Sequence, residues 1–119
     1  MAMPCARGEA ASLQAAADQL ATALSHSTLY KNYTQAKAAL DQNPALLARV
    51  VAYRNAQNAM EYQRLQGDAP PLDEAKRVSH LYATLSLNAT ASAFLRAEAA
   101  LLATYKNIFD TLHAACDMV

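Results

Sequence analysis

The residues best suited to chemistry lie in the last nine positions, TLHAACDMV. His113 and Cys116 are three positions apart, so on a helix both could face one ligand. Imidazole and thiolate groups bind zinc, and thiolates hold iron–sulfur clusters. One hypothesis is therefore a metal, iron–sulfur or redox protein that uses Cys116 and His113.

The number of available ligands argues against that hypothesis. Structural zinc sites usually take four protein ligands, and iron–sulfur clusters usually take four thiolates. The chain has two cysteines, Cys5 and Cys116, near its opposite ends. Cys116 also continues the helical spacing of Phe109 and Leu112, which favours a small apolar residue at the end of a core stripe. We expect no bound metal or cofactor, and no disulfide.

Candidates for catalysis are isolated. His26 and His80 have no evident partner, and a chain with two glycines has no glycine-rich loop to hold phosphate. Glu98 and Gln57 are polar residues that interrupt apolar stripes. One interpretation makes them acid–base groups in a pocket, and the other makes them residues that set the register of a helix interface. The second interpretation is the commoner one, and we expect a protein that is not an enzyme.

The charges exclude some partners. Ten basic and ten acidic residues cancel, and the basic residues never form a run of three. Because binding through phosphate charge needs a basic stripe, we expect no direct nucleic-acid partner. The N-terminal stretch lacks the pattern of a secretory signal, and no apolar run reaches about 18 residues. We therefore expect a cytoplasmic protein without a membrane partner.

The composition predicts an all-α fold. The chain contains 29 alanines, two glycines and four prolines, and alanine favours helices most strongly. Apolar side chains recur in steps of three and four between helix caps and breakers. They predict helices at 10–24, 28–41, 44–66, 72–87 and 89–115.

The predicted helices form an elongated antiparallel hairpin or bundle of about five helices. We expect a disordered tail over residues 1–8, one helical domain over 9–116 and a frayed end over 117–119. Asn43 and Asn88 are predicted helix caps. Gly67 is expected to end the third helix and turn the chain into a hairpin.

The last helix carries two apolar rows, more than the other helices of a short chain can cover. A soluble monomer rarely exposes such a surface, so we predict a homodimer, in which Phe109→Asp weakens both fold and association. The predicted interface residues are Leu29, Tyr33, Leu95, Leu102, Tyr105, Phe109 and Leu112.

Residues 9–116 resemble the YlbF/YmcA-like family of small bacterial helical proteins. The resemblance rests on a tyrosine-containing helix that closes on DQNP, a long helix that ends in a Gly and Pro loop, and a break at Asn88 before the last helix. It implies an elongated, dimer-forming cytoplasmic protein. Family members join a complex that influences RNA processing, competence, sporulation and biofilm formation, without catalysis of their own.

The resemblance does not extend to the cysteines. Some family members carry an iron–sulfur cluster on a cysteine-rich C-terminal region, whereas this chain ends with Cys116 alone. The leading hypothesis is therefore a non-enzymatic helical adaptor, working as a homodimer with other proteins as partners. The alternative remains a metal or redox protein based on Cys116 and His113.

Overall fold

The computed structural model describes residues 3–116, with side chains from residue 8 onward. This part of the chain is all-α and contains no β-strand, as the sequence predicts. Its five helices are α1 (Met3–Ser25), α2 (Thr28–Asp41), α3 (Pro44–Leu65), α4 (Leu72–Ser86) and α5 (Ala89–Cys116). Four of the five predicted helices begin and end within one residue of these bounds.

Helix α1 is the exception, because it begins at Met3 and not at residue 10. The backbone of residues 3–8 is thus helical where the sequence predicts a disordered tail. The alanines of α1 lie mostly from Ala10 onward and favour the helix that begins here, and Pro4 lies in its first turn, where a missing N–H leaves no helical hydrogen bond unmade. The predicted frayed end, residues 117–119, lies outside the described residues.

Asparagine side chains begin two of the helices. Leu46 N–H donates to Asn43 Oδ1 at 3.2 Å, and Ala91 N–H donates to Asn88 Oδ1 at 3.0 Å. Each bond satisfies a backbone donor that has no partner within its own helix. Both predicted caps are confirmed, and Asn88 fixes the point where α5 turns away from α4.

Gly67 ends α3 as predicted. Its φ is +86°, a left-handed conformation that glycine adopts without strain. Asp68 N–H donates to the carbonyl of Gln63 and Gly67 N–H to that of Arg64, both at 3.0 Å. These two bonds form a Schellman motif, and the chain then returns as α4 alongside α3.

We expect Asn88→Ala to lower the free energy of unfolding by about 1 kcal/mol, the usual cost of losing an N-cap side chain. Chemical denaturation with circular dichroism measures this change. Asn58→Ala is the matched control, because Asn58 is exposed inside α3 and alanine favours a helix interior. Equal losses from the two variants would show that the cap contributes nothing.

The hydrophobic core is small and lies at one end of α5. It is formed by the C-terminal ends of α2 and α4 and the N-terminal halves of α3 and α5. Its fully buried members are Leu40 and Leu85, and Tyr33, Leu47, Val78, Leu81 and Leu95 pack around it. The remaining core residues are Leu46, Val50, Tyr53, Ala91 and Phe94.

The molecule is elongated. Its radius of gyration is 19.3 Å and its principal extents are 59 × 37 × 20 Å. A compact domain of this length has a radius of gyration of about 13.5 Å. With 28 residues, α5 is about 42 Å long. Its N-terminal half packs on α2 and the core, so its C-terminal half extends beyond them.

Candidate interaction surface

An apolar surface covers the C-terminal half of α5 and the side of α1 that faces it; we name this surface the α1–α5 face. Its large side chains are exposed by between 44% (Tyr105) and 71% (Leu13). Apolar side chains exposed together in this way mark a site of protein contact more often than scattered ones do. The members of the face are Leu13 and Leu20 on α1, and Leu102, Tyr105, Phe109 and Leu112 on α5.

A groove of about 420 Å³ runs between α1 and α5 within this face. Ala17 and Ala21 form its floor on the α1 side, and Tyr105 and Phe109 border it on α5. Within the described part of the chain, no Cα atoms of α1 and α5 approach within 8 Å. No charged side chain lines the groove. The two helices therefore stand apart and leave apolar side chains between them uncovered.

The seven predicted interface residues fall into two groups. Leu102, Tyr105, Phe109 and Leu112 lie on the α1–α5 face. The other three, Leu29, Tyr33 and Leu95, are half-buried within the chain.

Tyr33 illustrates the second group. Its ring contacts Phe94 with centroids 5.7 Å apart and Tyr30 at 6.4 Å, and it packs against the core together with Leu95. These side chains already stabilise the packing of α2 on α5. The interface assignment of the seven residues stays a prediction.

Sequence reasoning did not include α1 in the interface. Leu13, Ala17, Leu20 and Leu24 form a recognisable helical stripe. A stripe with the same spacing on α2 is half-buried or buried; it is formed by Leu29, Tyr33, Ala36 and Leu40. Spacing alone therefore does not distinguish a covered stripe from an uncovered one. Only the position of α1 in the fold makes that distinction.

The polar residue Glu98 holds α3 against α5. Its carboxylate accepts a hydrogen bond from the Arg54 guanidinium in a half-buried ion pair. The rings of Tyr53 and Tyr82 meet beside this pair with centroids 5.6 Å apart, which links α3 to α4. Burial, and to a smaller extent Tyr82, raises the pKa of the Tyr53 phenol. Gln57 lines the same cleft, of about 250 Å³.

This arrangement favours the interface-setting interpretation of Glu98. Its charge is already matched by Arg54, and the two residues come from helices that make little other backbone contact. The pair therefore sets how the hairpin of α3 and α4 lies against α5.

A double-mutant cycle on Arg54→Met and Glu98→Gln should give a coupling energy of about 1 kcal/mol in unfolding experiments, since partial exposure screens the pair. The control cycle uses Lys106 and Asp110, an exposed pair four residues apart on α5 at 2.9 Å. That pair should couple more weakly, because both side chains are exposed and solvent screens their charges. A coupling at Arg54 and Glu98 no larger than the control would contradict their role in fixing the hairpin.

His113 and Cys116, the candidate metal ligands, lie at the end of α5. Cys116 is exposed, and the His113 ring lies beside Phe109 with centroids 6.0 Å apart. Within the described residues, no three histidine, cysteine, aspartate or glutamate side chains are placed to share a metal ion. This donor set does not fit a zinc site or an iron–sulfur cluster, which need about four ligands.

Cys116→Ser should lower the free energy of unfolding by about 1 kcal/mol or less, because an exposed side chain loses little packing. Association should not change. Thermal melting and metal analysis of both proteins, purified without air, provide the measurement. Stoichiometric iron or zinc in the wild type that is lost in the variant would establish the ligand role instead.

The sequence matches the family described as "Control of competence regulator ComK, YlbF/YmcA" over residues 13–115. The chain belongs to the YlbF/YmcA family. The match spans α2 to α4 entirely and most of α1 and α5, so the resemblance noted in the sequence is confirmed.

Two kinds of comparison agree with membership of the YlbF/YmcA family. A UPF0342 protein from Caldicellulosiruptor saccharolyticus is 28% identical over 100 residues, which are 84% of this chain and 83% of the relative. A protein of unknown function (DUF964) from Bacillus stearothermophilus has the same fold, with a TM-score of 0.75 and 17% identity over 89% of this chain and 93% of the other.

A third comparison is with a chain of the crystal structure of Bacillus subtilis RicA in complex with RicF. The matched chain gives a TM-score of 0.59 at 20% identity, over 90% of this chain and 95% of the other. At these identities the two solved structures show a shared helical fold and nothing more. None of the helices in residues 3–116 combines the length and hydropathy needed to cross a membrane.

Proposed function

We propose that this chain is a non-enzymatic adaptor, a homodimer that binds other proteins as a regulatory component of a cytoplasmic bacterial complex. The observation that carries the proposal is the α1–α5 face, where six large apolar side chains are exposed together. The family's description as a control of a competence regulator supports a regulatory role. A chain of the same fold comes from the crystal structure of a protein complex, that of RicA with RicF.

The processes regulated are proposed from the family. They are RNA processing, competence, sporulation or biofilm formation. Deletion of the gene in its own organism should alter one of these processes without removing an enzymatic reaction. A complemented strain should recover when it carries the wild-type chain and also when it carries Cys116→Ser.

The adaptor proposal is tested by capturing the tagged chain from its own cells and quantifying the bound proteins by mass spectrometry. The wild type should retain a defined set of partners above a tag-only control. Leu102→Asp should lose them, because it places a charge in the α1–α5 face. Leu65→Asp is the matched control, since Leu65 is the same residue type and is more exposed than Leu102 (80% against 55%) but lies at the end of α3. A wild-type chain that retains no partner would contradict the proposal.

A further inference from the structure

The cleft between the α3–α4 hairpin and α5 is lined by side chains of all three helices, among them Tyr53 of α3, Tyr82 of α4 and Arg96 of α5. We name it the hairpin cleft. Its volume is about 250 Å³, just below the roughly 300–1,000 Å³ of pockets for drug-sized ligands. Protein partners need a contact area of about 1,000 Å² or more. The size of the hairpin cleft therefore favours a small molecule over a protein segment.

The apolar part of the hairpin cleft is built from two tyrosine rings and a leucine. Tyr53 is 8% exposed, and its ring meets that of Tyr82 with centroids 5.6 Å apart and the ring planes tilted by 45°. Leu95 of α5 completes this part of the lining. Aromatic rings attract one another at centroid separations of about 4.5–7 Å. A ligand with a single flat ring therefore suits this part of the cleft.

The charged side chains of the hairpin cleft leave one positive charge unmatched. Arg54 pairs with Glu98, and Glu98 is the one carboxylate among the lining residues described. Within residues 8–116 the Arg96 guanidinium makes no salt bridge. Its Nη2 donates instead to the neutral Ser92 Oγ at 3.2 Å, and both residues line the cleft. A ligand with one negative charge would match this excess.

We propose that the hairpin cleft binds a small aromatic monocarboxylate, with its ring against Tyr53 and Tyr82 and its carboxylate on Arg96. A guanidinium donates two parallel hydrogen bonds to the two oxygens of a carboxylate, and such charge-assisted bonds are stronger than neutral ones. A doubly charged phosphate would retain a negative charge that no lining residue matches. The site lies within one chain and does not depend on the adaptor role.

Phenylacetate is the probe for this site, because it combines one ring with one carboxylate. The isotope-labelled full chain is titrated with it at constant pH and ionic strength, and amide NMR spectra record binding. The signals of residues that line the cleft should shift saturably, with a dissociation constant of about 1 mM or below. Phenylacetamide, the uncharged analogue with the same ring, should bind at least about 10-fold more weakly.

Arg96→Gln should raise the dissociation constant of phenylacetate at least about 10-fold, because glutamine lacks the positive charge. Arg49→Gln is the matched control, since Arg49 is an exposed arginine of α3 that does not line the cleft. It should leave the dissociation constant within about twofold. Tyr82→Ala should also weaken binding, because it removes one of the two rings. The same spectra show whether each variant is folded.

Three results would overturn the inference. They are the absence of saturable shifts up to about 10 mM phenylacetate, equal binding of phenylacetamide, and wild-type affinity in Arg96→Gln. Capture from cells separates the site from a protein contact. If Arg96→Gln lost the captured proteins while the wild type bound no phenylacetate, the hairpin cleft would be a protein-binding site, which also overturns the inference. Phenylacetate binding to a chain that captures no partner would leave the inference standing and overturn the adaptor.

Discussion

Phe94→Ala is expected to lower the free energy of unfolding by about 3–5 kcal/mol, the range for removing a buried aromatic ring. Phe94 is 5% exposed and its ring contacts Tyr33 of α2. The substitution removes apolar burial and leaves a cavity where α2 meets α5. A domain of this size is stable by about 5–15 kcal/mol, so the loss is a large fraction of the total. Urea denaturation at two protein concentrations measures it.

Phe109→Ala is the control for this prediction, because the same ring is removed from a position that is 64% exposed in the single chain. If the proposed homodimer buries Phe109, its effect should grow with protein concentration, since the exposed ring contributes little within one chain. Phe109→Ala could instead lower the free energy of unfolding as much as Phe94→Ala does, at any protein concentration. That result would contradict the placement of Phe94 in the core and of Phe109 on an exposed surface. It also follows that Phe109→Asp should weaken association far more than the fold of one chain, which revises the expectation from sequence.

Ala91→Leu should lower the free energy of unfolding by about 1–3 kcal/mol, because the added methylenes have no space to occupy. Ala91 is 0% exposed in the first turn of α5, three residues after the Asn88 cap. Short side chains allow α5 to approach its neighbours closely, and a leucine would separate the helices or take a strained conformation. The transition midpoint in urea measures the change.

Ala103→Leu is the matched control, since Ala103 is exposed on the same helix. Its effect should lie within about 0.5 kcal/mol, as is usual for exposed positions. If Ala91→Leu also changed the free energy of unfolding by no more than about 0.5 kcal/mol, the close approach of helices at Ala91 would not determine the packing of this core.

The helices were predictable because the residues that define their ends act locally. Asn43 and Asn88 each accept a hydrogen bond from a backbone N–H three residues ahead, and Gly67 ends α3 through its own φ angle. Such contacts depend on neighbouring residues, so the sequence contains them directly. The start of α1 was missed because Pro4, which stops a helix interior, is tolerated in a first turn.

The candidate surface was only partly predictable. Tyr33 on α2 and Tyr105 on α5 share the same three-and-four spacing, yet one is covered by Phe94 and the other is 44% exposed. Which stripe is covered depends on contacts between helices that are distant in sequence. The partner of Glu98 was hidden for the same reason, because Arg54 lies 44 residues away.

The most direct test of the central claim, that this chain acts through protein contacts, is the mass of the intact assembly that it forms in its own cells. Native mass spectrometry of the gently purified, tagged chain provides that mass. We predict an assembly with two copies of this chain and at least one other protein. A chain recovered alone, as a monomer of 12.8 kDa apart from its tag, would contradict the account.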